Sequence, residues 1–357
     1  MNCNLKNSKS SITIKRFKLP VLDLIIRCDD VNLIERFCKF MDYKNVLQKN
    51  ERTLLIDIRT KFKIQNNFNE FVSKLKNYNK TLNVTYIPEL YHFENNKFRI
   101  IVQREKDVIL SCLVYSYENR YLKVFLNQNS PASITCCESI IEFYIASSLY
   151  SHFSLPLHAS AVKIGDKGII FVGESEVGKS TLALQLIYEG GKLLSNDLIC
   201  LIISNDITGY CIDESIGLRV DRNNKLLYNY WSLLTNNHKP LYCDNCQTYY
   251  KAREVLGDKF IAFSKIDYVI FVEKVPISEP KIKRLNRKEA LYFFLKNKIN
   301  PNKRIVDLYI PLELFEKLSN KCTYYRLLLP DWNLEEKVID SKVTCNWLLD
   351  NLYNNTE

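Results

Sequence analysis

Residues 173–181 read Gly173-Glu174-Ser175-Glu176-Val177-Gly178-Lys179-Ser180-Thr181, which fits the pattern GxxxxGK[ST]. Two glycines bracketing four free positions, then a lysine and a hydroxyl, are the parts of a loop that cradles phosphate. The glycines let the backbone turn tightly round an anion, and successive N–H groups with the start of the next helix face the phosphates. Lys179 then reaches the β- and γ-phosphates, Ser180 holds Mg²⁺, and the loop residues through Thr181 bind the nucleotide. A phosphate cradle gives binding, and a reaction needs a carboxylate beside it. Asp197, at the strand after the loop's helix, supplies one. In the usual Walker B arrangement apolar residues precede the acid. Here they follow it, in Asp197-Leu198-Ile199-Cys200-Leu201-Ile202-Ile203, which points away from ordinary ATPases and GTPases.

The elements that must hold these residues are legible around them. His158–Ile164 (HASAVKI) alternates as a strand, Gly165-Asp166-Lys167-Gly168 reads as a hairpin turn, and Gly168–Gly173 (GIIFVG) is an apolar strand suited to a sheet interior. After the loop, LALQLIYEGG predicts a helix closed by Gly190-Gly191. Leu193–Ile203 begins and ends as an apolar strand, with Ser195-Asn196-Asp197 near its start. Upstream, strand-like content marks Ser11–Leu19, Leu22–Arg27, Thr53–Arg59 and Leu82–Ile87, then Lys97–Gln103, Val108–Ser116 and Tyr121–Leu126. Helical spacing marks Val31–Gln48, Asn67–Asn77 and Glu138–Leu155. The whole is α/β in class.

The chain has 357 residues, 46% hydrophobic and 25% charged, which excludes collagen-like and disordered classes and suggests about two domains. All nine glycines lie between Gly165 and Gly257, so unusual backbone geometry is concentrated around the motif. A formal charge of +10 favours anionic partners. The densest basic runs are Lys281–Lys288 (KIKRLNRK) and Lys15–Lys18 (KRFK), with Phe17 their only aromatic. That pattern falls short of a nucleic-acid binder and reads as a solvated face. Twelve cysteines, spread out and preceded by no apolar signal region, read as reduced, buried small hydrophobes of a cytoplasmic protein. Cys243-Asp244-Asn245-Cys246, with His238 nearby, lacks the further ligands of a zinc site. No apolar window is long enough to cross a membrane.

The order Leu157-His158-Ala159-Ser160-Ala161-Val162, loop 173–180, then Gly191-Lys192-Leu193-Leu194-Ser195-Asn196-Asp197 resembles the catalytic domain of the HPr kinase/phosphorylases, themselves similar to phosphoenolpyruvate carboxykinases. Weaker likeness continues through Ile216-Gly217-Leu218-Arg219, the strand Tyr268–Val272 and the helix after Asn286, so that it covers about residues 90–350. The resemblance implies a P-loop catalytic domain over 91–357 with an α+β extension over 1–90. It implies an ATP- and Mg²⁺-dependent phosphotransferase acting on an alcohol, typically the serine of a peptide or protein. His158 would contact the γ-phosphate, Asp197 would take the serine proton or join Ser180 on Mg²⁺, and Arg219 would neutralise charge. The likeness is nearest to HPr-kinase-like proteins that tailor ribosomally made peptides, including lasso-peptide kinases. In that reading residues 1–90 serve precursor or partner binding, and a homo-oligomer is compatible with the family. Two positions depart from the family pattern. Its paired acid is Asn196-Asp197 here, and its second loop glycine is Glu176. A kinase of small alcohols such as free serine, and an ATP-binding protein without transfer chemistry, stay open beside the peptide kinase.

Overall fold

The computed structural model describes residues 12–30, 33–34, 53–60, 83–87, 90–94, 97–105, 108–116, 118–126, 131–149, 153–219, 238–243, 247–296, 312–330 and 347–352. The chain divides into two units, 1–38 with 42–148, and 39–41 with 149–357. The sequence expectation drew this division at 90/91. It falls later because strands on both sides of residue 90 close one sheet.

That sheet has eight strands: β1 (Thr13–Leu19), β2 (Leu22–Cys28), β3 (Thr53–Arg59), β4 (Asn83–Ile87), β5 (Leu90–Glu94), β6 (Phe98–Glu105), β7 (Val108–Ser116) and β8 (Tyr121–Leu126). Their spatial order is β1-β2-β3-β8-β7-β6-β5-β4. The β2–β3 and β3–β8 pairs are parallel and the rest antiparallel. β2 alternates between fully and partly buried positions, with Leu22, Leu24, Ile26 and Cys28 inside, the period-two signature of a sheet with one covered face. Helix α1 (Pro131–Leu149) buries Cys137, Ile140, Ile141 and Ile145, and its Tyr144 stacks on Tyr115 of β7 with centroids 4.3 Å apart. The helix ends at Leu149, before the Leu155 that helical spacing had included, because Ser154 already begins the next strand. The predicted helix at 67–77 lies outside the described residues, as does 31–48 apart from the helical pair 33–34.

The second unit is built on a mixed sheet ordered β17-β13-β12-β9-β10-β18-β20-β19, with β11 paired to β9. Its strands are β9 (Ser154–Ile164), β10 (Lys167–Val172), β11 (Lys192–Ser195), β12 (Leu198–Ile203), β13 (Ile207–Cys211), β17 (Phe263–Lys265), β18 (Tyr268–Val275), β19 (Lys281–Arg284) and β20 (Thr323–Pro330). β10, β18 and β20 run parallel. β10 and the first half of β18 are buried on both faces, which explains their unbroken apolar runs. Helices α4 (Arg287–Lys296) and α5 (Leu312–Ser319) cover one face, where Phe271, Phe293, Phe294, Phe315 and Tyr324 form the core. Phe294 meets Phe271 and Phe315 edge-on at 5.0 and 5.9 Å, a favoured aromatic geometry. Helix α2 (Lys179–Tyr188) packs on β9, β10 and β11. It ends in a Schellman turn, with Gly190 at φ 97°, Gly191 N–H donating to Leu186 O at 2.8 Å and Gly190 N–H to Ile187 O.

A separate three-stranded sheet joins β14 (Ser215–Arg219), β16 (Gln247–Lys251) and β15 (Tyr242–Cys243), and the short helix α3 (Ala252–Leu256) follows it. Six described cysteines are free thiols, five of them buried. Cys243 lies in β15, and 244–246 lie outside the described residues. Among the described residues no helix is long and apolar enough to cross a membrane, and no group of His, Cys, Asp and Glu could hold a metal ion by itself.

Candidate active site

β10 delivers the chain into the loop at Gly173. A side chain there could not be accommodated, since its Cβ would lie 2.5 Å from Val272 O of β18 and 2.9 Å from Val177 Cγ2. The loop therefore lies close against the neighbouring parallel strand. Glu176 takes φ 67° and Gly178 takes φ 104°, so Glu176 adopts the left-handed conformation that the family's glycine would adopt there freely. Gly178 is the N-cap of α2, and no side chain caps that end. The first amides of the helix thus have no side-chain acceptor within the cap.

Lys179 opens α2 and turns back on the loop. Its Nζ donates to Gly173 O at 2.9 Å and to Glu174 O at 2.7 Å, and it is 7% exposed. Burial pulls its pKa down, while the charges of Asp197 and Glu174 oppose that shift. Ser175 and both loop glutamates are exposed, and Ser180 and Thr181 are half-buried.

The facing wall comes from β9 and the turn between β11 and β12. The register sets Leu198 opposite His158, and Ala159 N–H donates to Asp197 O at 2.8 Å. His158 and Asp197 are thereby side by side, and His158 Nδ1 donates to Asp197 Oδ1 at 2.9 Å with side chains 47% and 43% exposed. A contact so exposed adds little stability; its effect is to fix the imidazole ring. Two residues along the same face of β9, buried Ser160 donates to Asn196 O at 2.7 Å and lies 3.3 Å from Ser180 Oγ. Since Ser160 spends its proton on Asn196 O, the hydrogen of the 3.3 Å contact comes from Ser180, whose lone pairs then remain for a ligand. Asn196 is 9% exposed, and its Oδ1 is buried without a hydrogen-bond partner. A buried acceptor in that state costs free energy until a donor or cation reaches it.

Of the residues singled out from sequence, His158, Lys179, Ser180 and Asp197 thus line the two walls of one site at the end of β10. Arg219 lies in β14, opposite Gln247 in the three-stranded sheet. Ser160 was missed. Nothing in its type marks it among the alternating small residues of β9; its role depends on the register shift between Leu193 and Ser195, which brings the Asn196 carbonyl over it. The loop, the uncapped helix end, the buried Lys179 ammonium and the orphaned Asn196 Oδ1 fit a magnesium–triphosphate group.

No protein-family model matches the chain. It is 29% identical over 122 residues to the HPr kinase/phosphorylase of Pelodictyon phaeoclathratiforme, covering 32% of this chain and 34% of that protein. It is 30% identical over 118 residues to the HPr kinase/phosphorylase of Treponema pallidum, covering 30% and 37%. The match therefore spans about a third of the length of these relatives. The solved HPr(Ser) kinase/phosphatase of Coxiella burnetii overlays 56% of this chain and 96% of its own, with a TM-score of 0.30 and 16% identity. Over about a third of its length the chain is distantly homologous to the HPr kinase/phosphorylases.

Proposed function

We propose that this protein is an ATP-dependent kinase that transfers the γ-phosphoryl group to a serine or threonine hydroxyl of a peptide or protein. In this reading the acceptor is a ribosomally made precursor peptide, as the resemblance to HPr-kinase-like peptide-tailoring proteins implies. The observation that carries the reading is the meeting of Lys179 and Ser180 with the His158–Asp197 pair, 2.9 Å apart, at the mouth of a GxxxxGKS loop.

In this reading the amides of 174–180 and the Lys179 ammonium hold the β- and γ-phosphates. To do so Lys179 exchanges the Gly173 and Glu174 carbonyls for phosphate oxygens. Ser180 Oγ would hold Mg²⁺, which draws charge from the phosphates. His158, fixed through Nδ1, turns Nε2 toward the transferring group. As the acceptor oxygen bonds to Pγ and the bond to the β,γ-bridging oxygen breaks, Asp197 takes the hydroxyl proton and ADP leaves. Asn196, a neutral amide, cannot share the base role and contributes its carbonyl oxygen as an acceptor.

The test is transfer of labelled γ-phosphate from ATP to serine-bearing peptides. Lys179→Ala and Asp197→Ala are each expected to reduce transfer by about a hundredfold or more. Undiminished transfer by Asp197→Ala would overturn the proposal. Asn196 and Glu176 favour one second reading, nucleotide binding without transfer, for which tight ATP binding with no turnover of phosphate would decide.

A further inference from the structure

We infer that the outer face of β19 and α4 docks an acidic, apolar-bearing segment of the acceptor, roughly ten residues from the phosphorylated hydroxyl. This names the substrate class for the kinase reading above and rests on it.

The basic run Lys281–Lys288 builds β19 and opens α4. Lys281, Lys283, Arg284, Arg287 and Lys288 are all exposed. Among the described residues only Lys283 is neutralised, by Glu289 at 2.7 Å. Lys281, Arg284, Arg287 and Lys288 form no ion pair with any described residue. A face that served solubility alone would continue polar along the helix. Instead Lys288, Tyr292 and Leu295 follow at helical spacing on the outer side of α4, with Tyr292 62% and Leu295 45% exposed. The inner side, Ala290, Phe293 and Phe294, is already buried against the sheet. Four unmatched cations beside an exposed aromatic and an exposed aliphatic side chain complement a peptide carrying acids and an apolar residue.

The topology places α4 on the face of the sheet that bears Leu157, Ala159 and Ala161 of β9, opposite to His158 and Ser160, so the acceptor reaches the stripe over the loop end of the sheet. β19 is the edge strand and runs antiparallel to β20, whereas β20, β18 and β10 are parallel. β19 therefore descends from the end where β10 delivers the loop, and α4 climbs back to it. Lys281 pairs with Leu328, which is opposite Glu273, while Gly173 follows a residue level with Phe271. At the top of α4, Lys296 Nζ donates to Glu273 at 2.5 Å and feels the charge of Glu174 in the loop. Four interstrand spacings separate β9, which carries His158, from β19, about 19 Å. Passing over the strand ends to the outer side of α4 adds about 15 Å, so an extended peptide covers the path in roughly ten residues.

The probe is a fluorescein-labelled peptide with one serine and, about ten residues away, a Glu-Glu-Leu-Glu block, read by fluorescence anisotropy against the full chain. Arg287→Glu/Lys288→Glu is the test variant. Acids in a first helical turn suit the helix dipole, so the change does not threaten the helix. Wild-type protein is expected to bind the acidic peptide, less tightly as salt rises, and the variant to bind it about fivefold or more weakly. The variant should in turn prefer a Lys-Lys-Leu-Lys counterpart, an inversion that a misfolded protein would not show. Equal binding of the acidic peptide by both proteins, no binding by wild type, or tighter binding of an oligonucleotide than of the peptide would each overturn the inference. Transfer to serine peptides at a rate indifferent to the acidic block would overturn the docking face and leave the kinase standing. Binding at the face with no transfer to any such peptide would overturn the kinase and leave the face.

Discussion

Glu176 is the residue at which sequence and geometry disagree most. Its φ of 67° is a conformation that costs a non-glycine residue about 1 kcal/mol, and its carboxylate is carried by the loop proposed to receive phosphate. Both features are unfavourable to nucleotide and both vanish in Glu176→Gly. That variant is expected to bind a magnesium–ATP analogue about three- to tenfold more tightly, with Glu176→Asn between the two, since asparagine tolerates left-handed backbone and carries no charge. Titration calorimetry reads the difference, and equal or weaker binding by the glycine variant would show that the carboxylate has a positive role. At this scale the sequence was informative where chemistry depends on residue type. Lys179, Ser180, His158 and Asp197 stand at motif positions and meet in space, whereas Ser160 contributes through a carbonyl 36 residues away, a partner that residue type cannot reveal.

The elements were legible where a pattern is local. The strands at 13–19, 53–59, 108–116 and 121–126, the hairpin at Gly165–Gly168 and the helix closed by Gly190 all follow from periodicity or turn chemistry within a dozen residues. The small sheet of β14, β15 and β16 was not legible, because its pairing joins strands across the long interval between Arg219 and Tyr242. Nor was the way α4 is fastened at its end. Glu273, near the end of β18, accepts hydrogen bonds from Lys296 of α4 at 2.5 Å and from Arg326 of β20 at 2.6 Å, and Arg326 also lies over the Phe293 ring. Desolvation pushes the Glu273 pKa up, but the two hydrogen bonds and cationic charges outweigh it and hold the carboxyl below the usual glutamate range. A folded-state pKa below the unfolded value means stability that is present above the unfolded pKa and lost as pH falls through the folded one. Glu273→Gln should therefore destabilise the second unit by about 1 kcal/mol at neutral pH, discounted for partial exposure. The gap from wild type should close as pH drops below about 4, as read by urea unfolding across pH. A gap that persists unchanged in acid would mean that the side chain acts through packing and not through charge.

On the scale of the whole molecule, the candidate site is built entirely from the second unit, 149–357, although the eight-stranded sheet holds a large share of the chain. Nucleotide binding is thus expected to couple to one unit. A ligand at a hundred times its dissociation constant stabilises the state that binds it by about 2.7 kcal/mol, and amides whose exchange requires opening of that state slow accordingly. Hydrogen exchange with a non-hydrolysable magnesium–ATP analogue should show slowing at 173–181 first, where amides would bond phosphate directly. It should extend into β9, β11, β12 and α2, whose mutual pairing holds His158 and Asp197 against the loop. β1–β8, which form a sheet of their own, should exchange at an unchanged rate. Lys179→Ala should abolish the whole pattern, because the same ammonium that orders the loop through Gly173 and Glu174 is the one proposed to engage phosphate. Slowing spread evenly over β1–β8 would assign the first unit a share in nucleotide binding. Slowing absent from 173–181 would remove the loop from the site altogether, and with it the kinase.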